Sequence, residues 1–477
     1  MSKLINNTST LLSFDLISKL LGFLIIPLYT VLITPFDFGI ISILQLIFIC
    51  ITMILSVSVA GFSKFYFDPR EICVKKLLSN VIIVQIVTVV FLLILISIFW
   101  NIVNNYFSFT KEFYLLIVVI SSIMSLFITL YNSYLLCIQN VKKLGLIMIS
   151  ISLVRNTGLF IFISIMEDKI LAFLFGVLLE QLIGFFIAIR FVISNFSFSK
   201  IDTKFISEFI SYGLIFLPTS ISDFIVKMSD RLMIEYSLGF QQLGIYSLAN
   251  SLTNIPGQAI SSANKNYIPV IYKSTKDKDD NSYMQSVKFF LLFQFLVVFG
   301  VLTFLPELFM FIGDKYTDAY TIFIVLIFFV YLNGYKLIIQ PLLTYYTRFV
   351  KYKSLIWTIT AIVNIGLNLY LIPIYGIMGA AIATVSSYIF TLPFNYYFSQ
   401  KAKKINYYPL WFFVSIMILV IVGIFVKYFD EFSLIIFVLK SFIFVIILLF
   451  MANKIINIKT ILIKIIKKYH GKISFIK

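Results

Sequence analysis

Charge is scarce in this chain. Only 12% of its 477 residues are Asp, Glu, Lys or Arg, about half the roughly 25% of a soluble domain. Histidine occurs once, at His470, in a basic tail with no ligand set nearby. The three cysteines, Cys50, Cys73 and Cys137, form no CxxC and are too scattered for a disulfide framework or a zinc site. GxxxxGK[ST], HExxH and GxSxG are all missing, so nucleotide hydrolysis and the common hydrolytic chemistries lack their residues. The sequence therefore points to no catalytic residue, no metal and no resident cofactor.

What the chain has instead is apolar length. Hydrophobic residues make up 61% of it and aromatics 18%, and the mean hydropathy is +1.02. The fold class expected is all-α integral membrane. About fourteen spans are legible, near residues 8–33, 39–63, 77–100, 113–138, 144–165, 170–193, 206–237, 243–270, 286–305, 319–341, 354–373, 376–399, 408–427 and 433–453. Each meets the ~20 residues a bilayer requires. Asp15 and Lys19 interrupt the first apolar segment, so it reads as a retained helix rather than a cleaved signal.

The connections test this count. With the N-terminus inside, the inner segments carry Arg70, Lys75 and Lys76, then Lys142 and Lys143, Arg190, Lys200 and Lys204, and so on to the lysine-rich tail, whereas the outer segments hold only Lys111, Lys169, Lys315 and Lys427. That one-sided bias is the positive-inside pattern and places both termini in the cytoplasm. The net charge of +17 is then chiefly topological, with attraction to anionic headgroups second, and nucleic acid is not an expected partner. Residues 454–477 read either as an interfacial helix or as a solvated basic tail.

An internal repeat divides the chain. Thr34-Pro35-Phe36-Asp37-Phe38-Gly39-Ile40 parallels Leu238-Gly239-Phe240-Gln241-Gln242-Leu243-Gly244-Ile245, each a short outer hairpin entering the next helix. Lys64-Phe65-Tyr66 echoes Lys265-Asn266-Tyr267 at the inner end of that helix. Six helices per unit is even, so the repeats are parallel, with a site expected between them near the midplane. The domains predicted are 1–205 and 206–405, two six-helix lobes around a central cavity, and 406–477, two added helices and the tail.

Charge inside the spans is the functional signal. Asp223, Lys227, Arg231 and Glu235 recur at intervals of four, with Asp230 beside Arg231. Each step drifts by about 40°, which gives one charged stripe on a helix. A charge near mid-bilayer costs on the order of 2.5–3.5 kcal/mol, so the stripe must face protein or a water-filled path. A transport path and a closed ladder of ion pairs both satisfy that demand. Pro218 suggests a bend before the stripe. Lys19, Lys64, Lys265 and Lys336 lie nearer inner ends and can alternatively snorkel to headgroups. Arg155 and Glu180 fall mid-span and can pair with each other. Lys440, on the added helices, is given no role. Across the lobes Lys and Arg outnumber acids, which favours an anionic cargo held by guanidinium and ammonium groups. The acids suit binding of H⁺ or Na⁺, without a choice between them. Tyr212, Tyr236, Tyr246 and Tyr267 can contact sugar rings or simply fill the interface.

Pro27-Leu28-Tyr29-Thr30, Phe38-Gly39, Asp230-Arg231, Leu243 to Ala249, Asn364, Asn368, Ile372-Pro373 and Gly376 to Thr384 together resemble bacterial oligosaccharide-lipid flippases of the O-antigen and capsule type. Those belong to the superfamily of multidrug extruders and lipid II flippases. The resemblance spans about residues 8 to 400. It implies alternating access and transfer of an undecaprenyl-diphosphate-linked oligosaccharide across the bacterial inner membrane. It also implies substrate contacts at Lys64, Arg155, Lys227, Arg231, Lys265 and Lys336. Asp15, Glu180, Asp223 and Asp230 are the expected ion-coupling acids. The partners implied are the lipid-linked saccharide, membrane lipids and polysaccharide polymerase machinery, around a monomer. A drug or metabolite antiporter, a lipid II flippase and a membrane polymerase or ligase are the other readings weighed. The antiporter would want an acid-dominated pocket, and the polymerase an ordered outer loop. Fourteen helices resemble the lipid II branch, since many O-antigen flippases have twelve.

Overall fold

The computed structural model describes residues 10, 13–15, 17–18, 21–22, 25–68, 73–106, 112–214, 217–428, 437–438, 440–442, 444 and 446. The tail from 454 lies outside them. The elements described are helical, without a strand: α1 (Ile26–Leu32), α2 (Pro35–Leu55), α3 (Val74–Tyr106), α4 (Glu112–Cys137), α5 (Val141–Ile165), α6 (Lys169–Asn195), α7 (Thr203–Leu214), α8 (Leu217–Lys276), α9 (Asp280–Thr303), α10 (Ala319–Tyr345), α11 (Val350–Ala402) and α12 (Pro409–Tyr428). Nine helices among the described residues are long and apolar enough to cross a membrane. One of these, α11, holds two predicted spans.

Local chemistry sets the helix starts. Pro35 opens α2 while the Thr34 hydroxyl accepts from the Asp37 backbone N–H at 3.1 Å, so one orphan donor is capped. Asn140, Asp168 and Asp279 cap α5, α6 and α9 in the same way. Pro218 is the second described residue of α8, and residues 215–216 before it lie outside the described residues. α8 and α11 each reverse at a glycine, Gly239 at φ 81° and Gly376 at φ 60°. With ψ at 176° and −142°, these positive-φ conformations are ones that only glycine adopts without strain.

Two compact units emerge. The first comprises Met1–Ile255, Ile312–Ile322 and Ser354–Phe390, the second Pro256–Phe311, Phe323–Lys353 and Thr391–Lys477. In the first, α4 packs on α2 and α6, and α6 on α5. α7 buries Phe205, Phe209 and Gly213 at a spacing of four; Phe205 and Phe209 pack beside Phe65, Leu77 and Val81, and Gly213 stands against Val57. Lys76 and Asp202, 2.8 Å apart, and Asn80, which accepts from the Asp202 N–H at 2.8 Å, pin the segment before α7 to α3. The Lys76 ammonium and the Phe205 N–H hold the Asp202 carboxyl below its ordinary range. In the second unit, α12 stacks Phe412 on Tyr335 of α10 at 3.8 Å between ring centroids. Lys440 meets Glu307 at 3.1 Å, and Phe444 stacks on Phe299. The terminal segment is thereby tied to the end of α9.

Candidate functional site

The first unit holds three polar constellations. On α5 and α6, Arg155 Nε lies 3.5 Å from Glu180 Oε2, both side chains partly exposed. Tyr29 of α1 is electrostatically coupled to both. Ser152 of α5 donates to the Ser18 carbonyl at 2.8 Å, and this ties the first segment to the same face. The mid-span pairing expected of Arg155 and Glu180 is therefore present.

The second constellation is buried. Asp230 is 4% and Arg231 5% exposed on the first arm of α8. One carboxylate oxygen of Asp230 accepts from the Arg231 backbone N–H at 2.8 Å, and the other accepts from the Tyr246 hydroxyl on the second arm. Tyr246 also meets the Thr384 hydroxyl. From there the network runs through Asn364, which reaches Thr384 at 3.4 Å and accepts from Asn368 at 3.1 Å and Ser229 at 3.3 Å. Both arms of α8 and both arms of α11 contribute, because the reversals at Gly239 and Gly376 fold each pair of arms back on itself. Arg231 Nε and Asn368 Oδ1 are buried without a hydrogen-bond partner among the described residues. A carboxylate, a tyrosine, a threonine and two amides enclosed with a guanidinium can take up or release a small cation while staying largely hydrogen-bonded.

The third is a crossing of the two repeat hairpins. Gly39 and Gly244 sit so close to the carbonyl oxygens of Phe240 and Pro35 that a Cβ on either would overlap them. Ser42 and Ser247 share a hydrogen bond of 2.7 Å. Gly313 N–H donates to Thr30 Oγ1 at 3.1 Å, and Tyr316 donates to the Ile33 carbonyl at 3.2 Å. The segments matched as repeats in the sequence thus pack on each other.

Other predicted residues fall as follows. Lys64 is exposed, with its ammonium 3.8 Å from the Tyr212 ring centroid, a cation–π contact. Asp15 is buried. The side chains of Asp223 and Lys227 lie outside the described residues. In the second unit, Lys336 is wholly buried and does not snorkel, whereas Lys265 is exposed. Tyr236 is 84% exposed and Tyr267 buried. Asn364, Asn368 and Thr384 were not sought as site residues. An Asn pair spaced by four inside an apolar run was the signal that could have found them.

The family described as Polysaccharide biosynthesis protein matches residues 4–275. The chain belongs to that family. Its polysaccharide-biosynthesis fold is similar to that of a structure described as lipid II flippase MurJ in an inward closed conformation, with TM-score 0.70, 18% identity, and 93% of this chain and 98% of that one covered. An inward-facing multidrug resistance MATE family transporter of the MOP superfamily follows, with TM-score 0.64, 13% identity, and 83% and 99% covered. A mutant of the Vibrio cholerae MATE transporter VcmN gives TM-score 0.53, 16% identity, and 84% and 96% covered. At these identities the likeness is one of fold. No curated protein matches the polysaccharide-biosynthesis chain in sequence.

Proposed function

We propose that the protein is a flippase that moves an undecaprenyl-diphosphate-linked oligosaccharide from the inner to the outer leaflet of a bacterial inner membrane. The observation that carries this is the enclosed Asp230–Arg231–Tyr246 network, built on four helix arms in a polysaccharide-biosynthesis chain with a transporter fold. The working parts are the two six-helix lobes, 1–205 and 206–405. Arg155, Lys227 and Arg231 take the diphosphate, with Lys64, Lys265 and Lys336 as further cationic contacts. Asp230, with Asp15, Glu180 and Asp223, binds H⁺ or Na⁺ and changes which arrangement of the lobes is favoured. A ligand shifts that equilibrium only by its differential affinity for the two states. The family match favours a saccharide cargo over the drugs of a multidrug antiporter.

The test is mass spectrometry of undecaprenyl-linked saccharides in cells with the gene deleted and restored. An oligosaccharide-diphosphate lipid should build up on deletion and clear on restoration. An unchanged lipid pool with altered sensitivity to cationic drugs would replace this reading with the antiporter.

Orientation has its own test. Cys73 is exposed, Cys50 half-buried and Cys137 buried. Hydrogen bonds from the Lys75 and Lys76 backbone N–H groups, with Lys200 nearby, hold the Cys73 thiol below its ordinary range, which favours the reactive thiolate. A membrane-impermeant maleimide should label Cys73 in inverted vesicles and not in intact spheroplasts. Labelling in the reverse pattern would turn the topology over.

A further inference from the structure

The two glycine reversals share one wall. Gly239 and Gly376 are the positive-φ glycines among the described residues. In the first unit, the ends of the α8 and α11 arms meet the start of α10 around a cavity of about 470 Å³. The polar lining is Gln242, Asp318, Thr321 and Tyr375, over an apolar floor that includes Leu238, Ile322 and Ile377. Ile322 and Ile377 are buried, Gln242 and Thr321 half-buried, and Asp318 and Tyr375 exposed. A Cβ at Gly239 would meet nothing within 4 Å, and one at Gly376 only Leu238 at 3.9 Å. The reversals leave open space rather than packed core.

The chemistry of the lining selects its ligand. Among the described residues no Lys or Arg lines the cavity, and Asp318 adds a carboxylate, so phosphate is disfavoured by charge and lacks the donors it requires. An amide, a hydroxyl and a carboxylate together offer donors and acceptors to alternating hydroxyl groups. An exposed tyrosine gives a flat apolar face with a polar edge. Small-ligand sites run roughly 300–1,000 Å³, mostly apolar with a few placed polar groups, and this cavity falls in that range. A pyranose has the same two-sided character, C–H groups on one face and hydroxyls around the rim. A long lipid chain would leave the polar rim unpaired.

We propose that this cavity binds a sugar residue of a glycan, with Tyr375 under the ring and Gln242, Thr321 and Asp318 on its hydroxyl or amino groups. It is separate from the Asp230–Arg231 network. The placement of the cavity on the outer side rests on the topology above, and the glycan it meets there rests on the proposed function. Binding itself requires neither. The glycan is either the head group just delivered or a chain already assembled outside.

The experiment is saturation-transfer NMR on the full-length protein in lipid nanodiscs. The probes are the methyl glycosides of glucose, galactose, N-acetylglucosamine and glucosamine, with disaccharides and longer glucans beside them. At least one lipid-free, phosphate-free glycoside should bind wild type. Tyr375→Ala and Asp318→Asn should each weaken that binding roughly tenfold, about 1.4 kcal/mol, and inorganic phosphate should not compete. Binding confined to short glycosides assigns the head group; binding that strengthens with chain length assigns the assembled glycan. Both substituted side chains are exposed, and Thr321→Val supplies a third variant should either misfold. Absence of glycoside binding by folded wild type, or binding untouched by all three variants, overturns the proposal. The readout uses no lipid-linked substrate, so it stands or falls apart from the deletion test.

Discussion

Gly244→Val should abolish transport while leaving the chain folded and inserted. The side chain would enter the space of the Pro35 carbonyl oxygen, and Gly39 stands against Phe240 in the same way. Backbone atoms cannot swing aside as a rotamer can, so α2 and α8 must part at this crossing. Overpacking typically costs 1–3 kcal/mol. Placed on one state of a two-state carrier, about 3 kcal/mol lowers that state's weight roughly a hundredfold. The lipid-linked saccharide pool of a deletion strain carrying the variant should match the uncomplemented strain. A cysteine pair reports the geometry directly. The Ser42 and Ser247 oxygens are 2.7 Å apart, so Ser42→Cys with Ser247→Cys should close a disulfide. The oxidised pair should arrest transport and reduction should restore it. In the Gly244→Val background the cross-link should fail. Efficient cross-linking together with full transport by that variant would show that the crossing takes no part in the cycle.

Asp230→Asn should also stop transport, for a different reason. Asparagine keeps an oxygen for the Arg231 N–H and a partner for the Tyr246 hydroxyl, so the network survives and only the charge is lost. Stability should change by about 1 kcal/mol, the worth of one ordinary hydrogen bond. Asp230→Leu should behave differently. It removes both side-chain oxygens and strands the Arg231 N–H and the Tyr246 hydroxyl as buried donors, at about 1–3 kcal/mol each, beyond the charge that both variants lose. Yield and thermal unfolding in detergent should therefore separate the two variants, while lipid accumulation should not. Normal clearance of the lipid by Asp230→Asn would make Asp230 a structural residue and move ion coupling elsewhere.

Span positions were readable because bilayer thickness fixes the length of an apolar run. The expected 113–138, 144–165 and 170–193 became Glu112–Cys137, Val141–Ile165 and Lys169–Asn195. The expected 206–237 span holds α7 and the first arm of α8, with residues 215–216 between them outside the described residues. Phe205, Phe209 and Gly213 keep helical spacing along α7, where Phe205 and Phe209 pack beside Phe65 and Leu77. The expected 39–63 helix lies within one candidate span, Pro35–Tyr66, with turns at Ser56 and Gly61. In the site, Asp230 and Arg231 were legible as charges in an apolar run, and Arg155–Glu180 as a pair. The association of Tyr246, Thr384 and Asn364 with Asp230 was not, because it depends on which faces the reversals at Gly239 and Gly376 bring together. Lys440 had no visible counterpart, since Glu307 lies 133 residues away.

The serine hydroxyls of this protein bear on how cheaply its surfaces can separate. Within the helices many already bond a carbonyl three or four residues back: Ser58 to Leu55, Ser122 to Val118, Ser251 to Ser247. Ser42 and Ser247 instead bond each other across the crossing. When those helices part, each hydroxyl can rotate to a carbonyl of its own helix, and no buried donor is stranded. The crossing is thus a seam of exchangeable hydrogen bonds and backbone contact, with no ion pair to break among its described contacts. An ionic clasp there would make one arrangement too deep a minimum to leave. A seam of this kind keeps both arrangements within reach of the modest free energy that a bound cargo supplies.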